Sequence, residues 1–508
     1  VSTVRAAALL FFVVALASLP QGLLPDWTGT EGRRVQIALE MLQSGDFVVP
    51  TLFFEPTFAK PPLHYWILTA AHSWLGDSHL AMRVPSMLAV WMLATLAFSL
   101  LRRAFSEPAG WIGALGVATA PLVVHSFFSA EIDPIFACLT AASLWMLAFG
   151  AAKENASAMF VAGILGAGAL MSKGAPYLLF ATGAWVVWLR HRRMRGALVY
   201  FVPLILLPTI WVWMLMYATP ASADAADVAS RETVGRLASY GWKQLLDLPG
   251  YFVRAAAIQA PFVFWCFWEH RGKRDARMGA DDLMLRMCSA AAIVAVLLLA
   301  VFPGRPTRYL LPNVPLFTFA VAPAVAHYAL HAGRIGASGA FILRTLGVLG
   351  SLMLVALPWV PAPMPSRTPV FALALAMAPL LVRTPRALVA MCLWLPLVAN
   401  WTVLADWRER WLDGPRTVEP YANLFATELR RLGAGPDTLE GYGHVHAGIL
   451  LGADLLPIGQ EEPRRLPTKR FVVSENTGAR RLPDDYTTRL LLRAGNLEFL
   501  VDEKIEKR

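Results

Sequence analysis

The sequence predicts an all-α polytopic membrane protein of about 13 transmembrane helices, with surface-lying extracytoplasmic helices and a small α/β domain at its C-terminal end. Three observations carry this reading. The 508 residues are 56% hydrophobic and 16% charged, with a mean hydropathy of +0.51, whereas soluble domains carry about 25% charged residues. Apolar runs long enough to cross a bilayer recur along most of the chain. Short basic clusters fall between those runs, so the net charge of +10 is topology information and nucleic acid is not an expected partner. The 18 Trp and 36 Pro suit interfacial belts and interrupted helices, which membranes tolerate.

The first run, Ala6–Leu24, leads into Pro25-Asp26-Trp27 rather than a small-residue cleavage site, and reads as a retained transmembrane helix. Further runs cover 80–101, 109–127, 131–151, 156–172, 174–189, 197–217, 248–268, 284–302, 310–330, 340–360, 369–382 and 387–404. Arg102/Arg103, Arg190 through Arg195, Arg271 through Arg277, Arg334 and Arg383/Arg386 fall in alternate loops. Placing those loops in the cytoplasm puts the N-terminus inside, and leaves 25–79, 218–247, 303–309, 361–368 and everything after 405 outside. Cys138, Cys266, Cys288 and Cys392 each sit in an apolar run without CxxC spacing, as packing residues do. From Asp406 the chain turns polar, with a helical stretch at Glu419–Leu432 and strand-like runs at Arg470–Ser474 and Leu490–Val501. The expected domains are therefore 1–404 in the membrane and 405–508 outside it.

The outer loop 25–79 holds most of the candidate chemistry. Glu31–Leu42 places Val35, Leu39 and Leu42 on one face, with Arg33, Arg34 and Glu40 elsewhere, as in an interfacial amphipathic helix. The double proline in Lys60-Pro61-Pro62-Leu63-His64-Tyr65-Trp66 forces extended backbone and presets a second helix at Pro62. Tyr65, Trp66 and Trp74 read as its apolar anchors. Two readings stand for each charged residue. Glu31 is either a functional acid or a first-turn carboxylate behind a Thr30 cap. Lys60 either binds an anion or snorkels to headgroups. Glu131 and Asp133, at the outer end of a span, either serve function or cap the helix entering at Pro134. Lys173, Arg305 and Arg308 lie outside against the positive-inside bias, beside Tyr309, and suit a lipid phosphate or pyrophosphate.

These residues carry a resemblance. TEGRRVQIALEMLQSGDFVVPTLFFEPTFAKPPLHYW (30–66) resembles the first periplasmic loop of the GT-C glycosyltransferases of the aminoarabinose-transferase and protein-mannosyltransferase superfamily. AMRVPSML, SAEIDP, LMSKGAP and RYLLPNVPLF are similar to further motifs of that superfamily, in the same order over residues 10–330. The resemblance implies a GT-C fold in the bacterial inner membrane. It also implies inverting transfer of a sugar from a polyprenyl-phosphate donor to a lipid or glycan acceptor at the periplasmic face, among membrane lipids. Two departures mark a divergent branch, with a donor or acceptor other than aminoarabinose and lipid A. Thr30 stands where the family usually has Asp, and Ala59 where the aminoarabinose branch often has Glu. No cofactor is required by this reading; a divalent metal, with Glu55 nearby, is left open.

The mechanism this implies needs a base for the acceptor proton and cations for the departing phosphate. Glu31 is the first choice of base, with Asp26 as the alternative upstream and Asp133 as its partner. Lys60, Lys173, Arg308 and Tyr309 would hold the donor phosphate, and Arg33, Glu55, His64, Tyr65, Glu131 and Arg305 complete the cavity candidates. The rival readings are a lipid flippase, whose ionisable residues belong near mid-membrane, and an O-antigen ligase or polymerase, against which the KPP motif argues. No P-loop or Rossmann fingerprint points to a nucleotide-sugar donor.

Overall fold

The computed structural model describes residues 2–22, 27, 30–52, 55–191, 196–219, 246–259, 280–301, 307–332, 334–359, 367–404, 419–434, 438–442, 460–461, 470–475, 486–494 and 497–504. Asp26, Arg305 and Cys266 lie outside the described residues. The helices in chain order are α1 (Thr3–Gly22), α2 (Glu31–Ser44), α3 (Leu63–Leu75), α4 (His79–Ala104), α5 (Glu107–Thr119), α6 (Pro121–Ser126), α7 (Ile132–Lys153), α8 (Ala156–Lys173), α9 (Pro176–Arg190) and α10 (Ala197–Ala218). They continue with α11 (Leu248–Ile258), α12 (Ala280–Ala300), α13 (Asn313–His331), α14 (Ala337–Ala356), α15 (Thr368–Leu381), α16 (Pro385–Ala399) and α17 (Glu419–Leu432). Among the described residues nine helical segments are long and apolar enough to cross a bilayer, so the chain is a multi-pass membrane protein. Every expected span contains a helix, but α9, α11, α15 and α16 are described over only 11 to 15 residues.

Burial sorts these helices. Seventeen of the 22 residues of α7 are buried, against three of 22 in α10. A helix apolar all round is either central or lipid-facing; α7 is the first and α10 the second. α7 packs against α4, α8, α12 and α13. Small residues let the backbones close: a Cβ on Gly163 would collide with the Tyr200 carbonyl, and one on Gly183 with the Ala290 carbonyl. The first and last described spans meet through Gln21, whose amide donates to Asn400 Oδ1 at 2.9 Å, and through Trp401 Nε1, which donates to the Leu16 carbonyl at 2.7 Å.

The loop between α1 and α4 folds as two short helices over one end of this bundle. Gly45, at φ 71°, ends α2 in the left-handed conformation, with its N–H on the Met41 carbonyl. Asp46 Oδ1 then accepts from the N–H groups of Val48 and Val49, turning the chain into the antiparallel pair β1 (Thr51–Leu52) and β2 (Glu55–Pro56). α3 follows the double proline one residue later than expected, at Leu63. Val35, Ile37, Ala38 and Met41 of α2 pack on Tyr65, Leu68, Met82 and Ala130. Two expectations shift here. Glu40 is buried and bonded to Gln36 and Thr51, and Tyr65 is a core residue; Trp74, 86% exposed, is the surface anchor.

Cys138, Cys288 and Cys392 are buried free thiols. In the C-terminal region, α17 matches the expected helix, and the expected run Leu490–Val501 is two strands. β6 (Tyr486–Ala494) and β7 (Leu497–Lys504) pair antiparallel. With β3 (Leu439–Tyr442), β4 (Gln460–Glu461) and β5 (Phe471–Glu475) they form a sheet of order β4-β3-β5-β7-β6.

Candidate active site

The segment 129–131, between α6 and α7, is gripped by three elements. Ser86 of α4 donates its hydroxyl to the Ser129 carbonyl at 2.6 Å, and His64 of α3 donates Nε2–H to the Ala130 carbonyl at 2.9 Å. The Ala130 N–H donates to Glu31 Oε1 at the start of α2, at 2.7 Å. The two carboxylates at the end of this segment and just beyond it, Glu131 and Asp133, are thereby held at one end of the bundle beside the first-loop helices.

Glu31 is fully buried. Its two oxygens take a bidentate grip from Arg83, Nε on Oε1 at 3.0 Å and Nη2 on Oε2 at 2.8 Å. Arg83 also donates to the Gln21 carbonyl at 3.2 Å and lies 5.8 Å from the Trp27 ring centroid. The pair sits at the positive end of the α2 dipole, which favours the carboxylate. The bidentate Arg83 grip and the Ala130 N–H engage both carboxylate oxygens of Glu31.

Glu131 behaves differently. It occupies the N-cap position of α7 yet makes no capping bond with its side chain. Its carboxylate instead crosses to Thr30, accepting the backbone N–H on Oε1 at 2.5 Å and the hydroxyl on Oε2 at 2.6 Å. Thr30, at the N-cap position of α2, likewise spends its hydroxyl on Glu131 rather than on its own helix. Both capping readings are thus corrected by one long-range contact. Burial pushes the Glu131 carboxyl above the usual carboxylate range, against the Thr30 bonds and the Arg34 charge, which pull it down.

Arg34 was not singled out in the sequence. It is half-buried, donates Nη1–H to the Tyr65 hydroxyl at 3.1 Å, and its field reaches both Glu131 and His64. Arg33, a cavity candidate, faces solvent. The apolar stripe of α2 leaves the phase of these adjacent arginines unresolved, and only packing against α3 settles it. His64 is fully buried and its pKa is pushed down to about 4 by that burial, so it is neutral near pH 7.

A second cluster lies on the other side of Asp133. Its carboxylate pairs with Lys173 at the C-terminal end of α8. The Lys173 ammonium also lies 4.5 Å from the Tyr309 ring centroid and 5.3 Å from that of Phe136. Arg308, exposed in the 3₁₀ turn Thr307–Leu310, is 5.9 Å from the same Tyr309 ring. Four motifs distant in sequence thus share one end of the bundle. Lys60 is half-buried in the turn before α3, and Glu55 contributes backbone to β2. Among the described residues no three His, Cys, Asp or Glu side chains converge to hold a metal ion.

Comparison with known proteins was made at three levels. Residues 59–215 match the family of dolichyl-phosphate-mannose-protein mannosyltransferases. An undecaprenyl phosphate-alpha-4-amino-4-deoxy-L-arabinose arabinosyl transferase of Edwardsiella ictaluri is 31% identical over 219 residues, 42% of this chain and 39% of that protein. The enzyme of the same description from Pseudomonas savastanoi is 24% identical over 372 residues, 70% of this chain and 68% of that protein. ArnT from Cupriavidus metallidurans, in a crystal structure bound to undecaprenyl phosphate, superposes with TM-score 0.74 at 15% identity, over 99% of this chain and 98% of that one. The arabinosyltransferase EmbB from Mycobacterium smegmatis gives 0.51 at 14% identity, over 81% of this chain and 41% of that one.

Proposed function

We propose that the chain, whose fold matches ArnT and whose residues 59–215 match the mannosyltransferase family, is a GT-C glycosyltransferase of the aminoarabinose-transferase and mannosyltransferase superfamily. It moves a sugar from a polyprenyl-phosphate donor to a lipid or glycan acceptor, with inversion, at the periplasmic face of the bacterial inner membrane. The N-terminus lies in the cytoplasm. Residues 1–404 form the transferase body, and 405–508 a periplasmic α/β domain.

One observation carries the reading. Cations from three separate segments, Arg34, Lys173 and Arg308, gather with three carboxylates at one end of an apolar bundle. A monoester phosphate leaving a sugar needs those cations, and an attacking hydroxyl needs one of those acids. A flippase would want its charges near mid-membrane, and these lie at helix ends. Lys173, Arg308 and Lys60 would take up charge on the departing phosphate, with Tyr309 closing over Lys173. Asp133 holds Lys173 in place until the donor arrives. Of the acids, Glu31 and Asp133 each face a buried cation.

Donor turnover tests the proposal. Purified protein in lipid vesicles is incubated with a panel of polyprenyl-phosphate sugars, and free polyprenyl phosphate is followed. Turnover of one donor is expected and identifies the sugar; a protein that neither turns over nor binds any of them is not this transferase.

A further inference from the structure

We propose that Glu131, held by the backbone N–H and hydroxyl of Thr30, is the base that takes the acceptor's proton; this rests on the transferase reading above. Three carboxylates compete for the role at this end of the bundle. Glu31 is wholly buried, with Arg83 chelating both its oxygens and the Ala130 N–H on one of them. Asp133 is buried against Lys173. Glu131 alone of the three is not fully buried, and its hydrogen-bond partner among the described residues is the neutral Thr30. A base must be reachable by its substrate and must be able to hold a proton without leaving a buried cation uncompensated. Glu131 meets both conditions.

The placement is built rather than incidental. Glu131 stands at the N-cap position of α7, and its side chain leaves that helix to cross to Thr30. Its backbone neighbours are fixed by Ser86, His64 and Glu31, so the carboxylate has little freedom of position. Thr30 fixes its orientation at two points. The groups that face it set its basicity from every side. Burial and Asp133 disfavour the charged form, whereas Arg34 and Thr30 favour it. The balance makes it a stronger base than a surface glutamate, which is the direction a base for a sugar or lipid hydroxyl needs.

In the step so assigned, the acceptor O–H proton passes to a Glu131 oxygen as the acceptor oxygen bonds to the anomeric carbon. The bond from that carbon to the phosphate oxygen breaks with its electron pair on the phosphate. Polyprenyl phosphate departs toward Lys173 and Arg308, and Glu131 later returns the proton to water. Thr30 touches no reacting atom and is a positioning residue.

The test compares wild type with Glu131→Gln, Thr30→Val and Thr30→Ser, reconstituted in the native membrane lipid extract with polyprenyl-phosphate sugars as donors. Glu131→Gln is expected to lower kcat by about 10²–10⁴-fold while donor binding is unchanged. Thr30→Val removes a hydrogen bond to the charged form, so the acidic limb of kcat/KM moves to higher pH, by roughly half to one unit. Thr30→Ser leaves the limb in place. Wild-type kcat in Glu131→Gln, or loss of donor binding together with rate, overturns the assignment while leaving the transferase reading intact. Wild-type protein that turns over no donor removes both. If Glu131→Gln does not accumulate, the pH limb of Thr30→Val decides, and an unmoved limb counts against Glu131.

Discussion

Two acid–cation pairs flank the same short segment and are built in opposite ways. Glu31 and Arg83 lock through two parallel hydrogen bonds, and Arg83 spends a further donor on the end of α1. Asp133 and Lys173 meet through one carboxylate oxygen, and the ammonium is shared with two aromatic faces. A guanidinium fork in a fixed bidentate site is geometry as much as charge, whereas an ammonium is a point charge on a flexible stem. The first pair is therefore suited to hold α1, α2, α4 and the 129–131 segment together. The second is held more loosely, as the proposed transfer of its cation to a donor phosphate requires. Two buried ion pairs that look alike in a list of charges thus differ in how firmly each cation is held.

Breaking the first pair from one side should have the largest effect. Glu31→Gln or Arg83→Met leaves a buried charge without its partner, which costs about 3–5 kcal/mol. The expected outcome is a marked loss of folded protein and of thermal stability in detergent, partly restored in the double variant Glu31→Gln/Arg83→Met. Equal stability of the single variants and wild type would mean that the pair opens readily, and would return Glu31 to contention as a base. The neighbouring His64 gives a titration of the same packed region. Its folded pKa of about 4 lies below the ordinary 6.5, so the unfolded chain binds a proton that the folded chain refuses. Stability is then full above pH 6.5 and falls as pH drops toward 4, by about 3 kcal/mol in all. His64→Gln should flatten that slope in melting curves taken between pH 4 and 7; an unchanged slope would place the titration elsewhere.

Much of this was legible in the sequence, and what was not has a physical reason. The spans follow from apolar runs, because a bilayer demands them one by one. The surface helices follow from Glu31–Leu42 and the double proline. The gathering of the Lys173, Tyr309 and Asp133 motifs was legible only as loops on one side of a membrane. The contacts of Glu31 and Glu131 were not legible, since each has its partner at a distance: Arg83 lies 52 residues from Glu31, and Thr30 lies 101 from Glu131. Thr30, read as a missing acid and a simple cap, is the residue that receives an acid from another element. Local rules predicted two N-caps there, and one tertiary contact replaced both.

The second pair yields the smaller and more pointed effects. Lys173→Met removes the charge-assisted contact proposed to the donor phosphate, worth about 1.5–3 kcal/mol, so on that proposal donor affinity should fall roughly ten- to hundredfold. Its loss should change stability less than Arg83→Met does, because Lys173 meets Asp133 through one oxygen, whereas Arg83 ties both oxygens of Glu31 to the end of α1. Tyr309 then separates ring from hydroxyl. Tyr309→Phe keeps the aromatic face over the Lys173 ammonium, and Tyr309→Leu removes it. Whatever the Phe variant loses belongs to the hydroxyl. The further loss in the Leu variant belongs to the cation–π contact, about 0.5–2 kcal/mol, a two- to thirtyfold drop in donor binding measured on the same vesicles. Equal losses in the two variants would mean that the ring does not steady the ammonium. Lys173 would then depend on Asp133 alone, and the contrast with the Arg83 pair would rest on hydrogen-bond geometry rather than on shared partners.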